Sequence, residues 1–176
     1  MKITADWKDS AGKGLKDLGW ALEYDGSIIS DESIEIDLGS RWLKLTGSLT
    51  SKLRIKAGWS IEAGWSIEAG EGIKAGGGIK AGEGIEAGGG IKAGWSIEAG
   101  GGIKAGWSIE AGEGIKAGGP IRCRKTLAFR FNLFAGTAIW KKTTKEEQIV
   151  ECEELRGGDV KHGILRMISQ GTLPDS

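Results

Sequence analysis

The stretch AGGGIKAGEGIEAGGGIKAGWSIE, Ala75 to Glu98, spells one six-residue phrase four times and varies only three of its letters. The phrase, A-G-x-x-I-x, runs from Ala57 to Arg122 as eleven hexads without insertion or deletion. A period this strict is the signature of repeat architecture. Six is not a helical number: a residue recurring every six positions precesses around a 3.6-residue helix, whereas an even period keeps every isoleucine on one face of a strand. The twenty-one glycines between 57 and 122 also oppose a helix. Ile and the Ala two positions later, with Glu or Lys between them, read as a short strand pointing in, out, in, and Gly supplies the turn. A three-residue strand cannot bury its side chain alone. Stacked copies can, by building a continuous isoleucine column, and the expected fold is therefore a short parallel β-solenoid. The same beat continues backwards through Ile55, Leu49 and Leu43.

The charged sixth position bears on the number of hexads per coil. With three, one face reads Lys44, Glu62, Lys80, Glu98, Lys116, a strictly alternating ladder. Across the tidy repeat this register gives five opposite-sign neighbours and three like-sign ones, against four and five for a two-hexad coil. Cross-strand pairs contribute only about 0.2–1 kcal/mol each, so the three-hexad coil is preferred and the flattened twelve-residue coil stays open. The third position agrees: in the three-hexad register Trp59 lies over Gly77, which lies over Trp95, Trp65 and Trp107 have Glu83 and Gly89 as neighbours, and no tryptophan stacks directly on another.

These Ile-x-Ala-Gly-x-x-Ile hexads resemble the hexapeptide-repeat, left-handed β-helix superfamily over about 80 of the 176 residues. Here the small residue follows the aliphatic one by two positions instead of preceding it. The resemblance implies a solenoid, and it brings acyltransferases with a catalytic histidine and three-histidine metal enzymes into consideration. The chain has one histidine, His162, outside the repeat. A three-histidine site within one chain is excluded, and a single-histidine acyl transfer site at His162 is the enzymatic alternative.

Solenoid ends expose strand edges and need caps. Residues 1–42 read as an N-terminal cap: Leu15, Leu18 and Leu22 have the spacing of a short helix ahead of the turn Asp25-Gly26, and Ile34, Ile36 and Leu38 alternate as a strand. Residues 43–122 form the solenoid. Residues 123–176 read as a β-rich cap or interaction domain with a small antiparallel sheet, its strands expected at Leu127–Leu133, Ala138–Lys142 and Gln148–Leu155.

Twenty-four basic and twenty-four acidic residues cancel, and they also balance within the flanks and the repeat, so nucleic acid is not expected as a direct ligand. No apolar leader and no apolar run of spanning length occurs, which points to a cytoplasmic chain with no membrane partner. Cys123 and Cys152 lie in alternating segments and read as buried thiols, with a disulfide as the lesser alternative. The repeat holds no aspartate for calcium turns and no threonine ranks, and its Gly-x-Gly triplets lack the phosphate-loop pattern.

No cofactor, metal site or catalytic residue is expected. The candidate surface consists of Trp59, Trp65, Trp95 and Trp107, the ladder residues Glu62, Glu98, Lys80 and Lys116, and the C-terminal Arg130, Lys141 and Lys142. The repeat tryptophans are expected to be packed or partly buried, and Phe129 and Phe131 to share a buried face opposite Arg130. The function expected is a non-enzymatic protein-interaction module, an adaptor or an inhibitor of another protein, with homo-oligomers allowed. A narrower version is a phage-type inhibitor of a bacterial defence nuclease whose carboxylates imitate nucleic acid. A self-assembling structural protein is a further alternative.

Overall fold

Each tidy hexad forms one three-residue strand, Ile61–Ala63, Ile67–Ala69 and so on to Ile115–Ala117. In this computed structural model, which describes residues 1–169, the Ile and the Ala of every such strand are buried and the charged residue between them points outward. Each strand pairs in parallel with the strand three hexads on: Ile61 with Ile79, Ile79 with Ile97, Ile97 with Ile115. One coil is therefore eighteen residues, and the twelve-residue register is ruled out. The coil has three faces. The first carries Leu43, Ile61, Ile79, Ile97 and Ile115; the second Ile55, Ile73, Ile91 and Ile109; the third Leu49, Ile67, Ile85, Ile103 and Ile121.

The isoleucine columns meet inside, where Ile61, Ile67 and Ile97 are fully buried. Burying one such side chain contributes about 1.5–3 kcal/mol. On the outside the register brings opposite charges together on each of the three faces. Lys44 lies 4.0 Å from both Glu23 and Glu62, Lys104 lies 3.0 Å from Glu86, and Lys92 bonds Glu110 at 2.5 Å. The pairs of Lys92 and Lys104 are exposed and those of Lys44 half-buried, so they set register more than they add stability.

The glycine after each Ala lies in the bend between strands, as read in the sequence, but not because the bend needs its conformational freedom. None from Gly58 to Gly118 has a positive φ. The turns themselves stack in hydrogen bonds: Gly64 N–H donates to the Leu45 carbonyl at 2.9 Å and Gly82 N–H to that of Ala63 at 3.0 Å. A Cβ on Gly82, Gly94 or Gly100 would sit 1.9–2.0 Å from the carbonyl oxygen of the coil beneath. Glycine is required there by close approach of backbone to backbone.

The stack reaches beyond the tidy hexads on both sides. Towards the N-terminus, Ala21–Tyr24 continues the first face, Ile34–Ile36 and then Lys2–Ile3 the second, and Ile28–Ser30 the third. The expected helix over Leu15 to Leu22 does not form. Lys16–Asp17 and Ala21–Tyr24 pair as antiparallel strands instead, because Leu22 sits in register with Leu43 and joins the first-face column, an outcome helical spacing cannot offer it. This pairing is also where the small antiparallel part of the molecule lies.

At the other end the strands pair in parallel, which corrects the expected placing of the antiparallel sheet. Thr126–Phe134 runs across two faces, Leu127 opposite Ile109 and Leu133 opposite Ile115, eighteen residues on in each case. Ile149–Cys152 continues the third face with Val150 opposite Ile121, and a last coil follows in Glu154–His162 and Ile164–Met167. Parallel stacking wins here because the hexad beat persists in Leu127 and Leu133 after the glycines have gone. No strand forms at Ala138–Lys142; that segment lies in a loop. Residues 170–176, included in the expected C-terminal cap, lie outside the described residues.

Candidate interaction surface

The third hexad position stands at the corners between faces, pointing out; the expected packing and partial burial hold for Trp59 and in part for Trp95, which packs on it, whereas Trp65 and Trp107 depart from them. Trp65 is 59 % exposed, Trp107 57 % and Trp95 38 %, and Trp59 is half-buried. The interior is already filled by Ile and Ala, and a corner side chain has no inward volume to enter. Trp59 and Trp95 are brought together: their ring centroids are 4.9 Å apart at an interplanar angle of 79°, edge to face, meeting above Gly77 of the coil between them. Trp65 and Trp107 occupy the other two corners. The four rings therefore form one pair and two separate outposts, not a single platform.

The corner that carries the pair is extended at both ends. Arg41 precedes Trp59 by one coil and Phe131 follows Glu113 by one coil, so the column reads Arg41, Trp59, Gly77, Trp95, Glu113, Phe131. At its N-terminal end Trp20 and Trp42 meet edge to face at 5.9 Å. Phe131 is 53 % exposed whereas Phe129 is buried, which overturns their expected common face. The strand bends at the corner there, with both Arg130 N–H and Phe131 N–H donating to the Glu113 carbonyl at 2.8 and 3.0 Å, and the alternation breaks. Arg130 is exposed, its guanidinium 5.2 Å from the Phe131 ring centre. At the second-face corner the Lys125 ammonium lies 5.7 Å over Trp107 and 2.8 Å from Glu153.

Lys80, Glu98 and Lys116 stand in successive coils of the first face, and they line a groove together with Trp140. Sequence reasoning missed this. Val150 takes the place opposite Ile121 that the hexad beat assigns to Ile139, so the intervening chain loops out, leaving Ile139 95 % and Trp140 66 % exposed. The Trp140 ring edge comes down on the first-face turns at Gly100 and Gly118, 3.5 and 3.4 Å from where their Cβ atoms would be. The polar residues around Ala138–Lys142 were the available signal, since they break the beat. Lys141 pairs with Glu147, and Lys142 is exposed beside it.

Cys123 and Cys152 are buried free thiols in the third-face alanine column, next to each other by register. Burial pushes the Cys123 thiol up to about 12, with the nearby Cys152 adding to the rise. Burial likewise pushes Cys152 up to about 11, helped by Glu151 and Glu154. Neither has the character of a nucleophile. His162 Nδ1 lies 2.6 Å from the Ala135 carbonyl oxygen, a bond that ties the last coil to the one before it. Among the described residues no group of three or more His, Cys, Asp or Glu is placed to hold a metal ion, and no helix is long and apolar enough to cross a membrane.

No protein-family model matches the chain, and no curated protein and no solved structure matches it.

Proposed function

We propose that the chain is a non-enzymatic protein-interaction module, an adaptor or an inhibitor that acts by occupying another protein's surface. The observation that carries this reading is the aromatic corner: Trp59, half-buried, and Trp95, exposed, packed edge to face on the outside of the coil, with Arg41 and Phe131 in the same column. Tryptophan and arginine are the residue types that dominate binding energy at protein interfaces, and rings held by a rigid scaffold lose little freedom when a partner seats on them. The ladder residues Glu62, Lys80, Glu98 and Lys116 flank that corner and would steer a partner of mixed charge. A defence-nuclease inhibitor is the narrower form of the same reading. It would draw on Glu62, Glu68, Glu86 and Glu98, and basic residues interrupt each face that carries them. The likeness to hexapeptide-repeat proteins supports the scaffold and carries no chemistry with it.

Replacing Trp59 and Trp95 together by Gly tests the reading. Gly77 already occupies the same column, so the solenoid tolerates glycine there. The double variant is expected to keep its β-sheet circular dichroism and to lose, by at least ten-fold in affinity, a partner captured by the native chain. Equal retention of that partner by both proteins would remove the aromatic corner from the binding site.

A further inference from the structure

The two ends of the solenoid differ. At the N-terminal end the outermost inward-facing residues are covered: Ile3 is 0 %, Leu22 2 % and Ile28 4 % exposed. The cover is the chain itself, with Trp7 against Tyr24 at 5.3 Å and the Tyr24 hydroxyl donating to Asp9 at 2.6 Å. At the C-terminal end nothing among the described residues does this. Leu165, in register with Val150 beneath it, is 41 % exposed, and Ile164 and Met167 are exposed as well. The strands Glu154–His162 and Ile164–Met167 each pair on one side only. Such an edge presents a row of open N–H and C=O groups.

The edge strand spells Glu154-Leu155-Arg156-Gly157-Gly158-Asp159-Val160-Lys161. Laid antiparallel on a second copy about the point between the two glycines, it sets Glu154 opposite Lys161, Leu155 opposite Val160, Arg156 opposite Asp159, and glycine opposite glycine. The faces agree with this pairing. Leu155 and Val160 are partly buried and pack on the core, while Glu154, Arg156, Asp159 and Lys161 are all exposed. The coil geometry agrees too. Leu155 is in register with Leu127 of the second face and Val160 with Leu133 of the first, so Gly157 and Gly158 turn the corner between those faces. A two-fold axis through that corner, perpendicular to the stack, exchanges the second face with the first and turns the third face onto itself. In a free chain the four charges are held in same-strand pairs, Arg156 with Glu154 at 2.8 Å and Lys161 with Asp159 at 2.7 Å.

We infer that the C-terminal end is the docking surface for a second copy of this chain, giving a tail-to-tail two-fold dimer whose sheets run antiparallel across a seam centred on Gly157 and Gly158. The isologous contact uses the one end that the described residues leave open, so it closes at two. It covers Leu165 and its neighbours and continues the isoleucine column from one copy into the next.

Light scattering coupled to size exclusion, run over a concentration series of the full chain, tests it. The native chain is expected at twice its 18.6 kDa mass. Arg156→Asp faces Asp159 of the other copy twice per seam, and Asp159→Arg faces Arg156 twice, so each variant alone is expected to dimerise about ten-fold more weakly or worse. Mixed in equal amounts, the two variants restore both opposite-sign pairs and are expected to recover the dimer. That recovery cannot come from misfolded chains. A native chain that stays monomeric at every concentration overturns the proposal and leaves the edge to a different partner. A dimer unaffected by either reversal, or variants that fail to recover on mixing, overturns it as well.

Discussion

At Gly94 a methyl group would stand 2.0 Å from the Gly76 carbonyl oxygen, whereas at Gly58, two coils earlier in the same column, it would meet only the Ile36 oxygen at 3.9 Å. Gly94→Ala is therefore expected to destabilise the protein by about 1–3 kcal/mol, as overpacking does, and Gly58→Ala to leave it nearly unchanged. Urea midpoints of the two variants check this directly. The thiols supply a second residue-scale expectation. Burial raises Cys123 to about 12 and Cys152 to about 11, so the folded state holds their protons more tightly than the unfolded one. The resulting stability is fully present below about pH 8.5, the ordinary thiol range, and falls as pH rises towards those raised values, by up to about 1.4 kcal/mol per pH unit for each thiol. Cys123→Ala places in the column the residue found there at Ala105, and it is expected to reduce the alkaline slope in denaturation curves between pH 9 and 11. The burial of both cysteines was legible in their alternating neighbours. The reason for the glycines was not, because a clash between coils exists only once they are stacked.

Among the elements, the three-residue strands were legible because each repeats the same pattern of burial, and eleven copies vote alike. The flanks offer no such redundancy. Leu15, Leu18 and Leu22 carry a helix spacing, yet Leu22 becomes part of the strand Ala21–Tyr24 because a finished column of leucine and isoleucine waits beside it. Local preference for a helix in so short a segment is worth little against that burial, the more so with Gly14 and Gly19 in it. Thr126–Phe134 was correctly read as a strand. Its bend was not, since alternation assumes a straight strand and this one turns a corner between Phe129 and Leu133. The loop holding Ile139 and Trp140 escaped notice because apolar residues on the beat look like core until Val150 is seen in their place.

For the whole molecule, stacking makes stability a sum over coils and their interfaces. Excision of residues 81–98 removes one complete coil, joins Lys80 to Ala99, and returns every later residue to its own face. The shortened chain is expected to fold, with an unchanged shape of circular dichroism spectrum and a lower melting temperature. Excision of nine residues instead would place Ile columns out of register and is expected to give an unfolded chain. The aromatic corner belongs to this scale also: Trp59 and Trp95 are thirty-six residues apart in sequence and 4.9 Å apart in space. The sequence by itself determined the strands of the repeat, their parallel stack, the outward charges and a preference for eighteen residues per coil, because a strict period carries its own geometry. Only the tertiary structure decided which way the tryptophans point, which end is covered and where Trp140 comes to rest. Those depend on how much room the isoleucine columns leave and on which backbone edges find a partner, quantities that arise when coils meet.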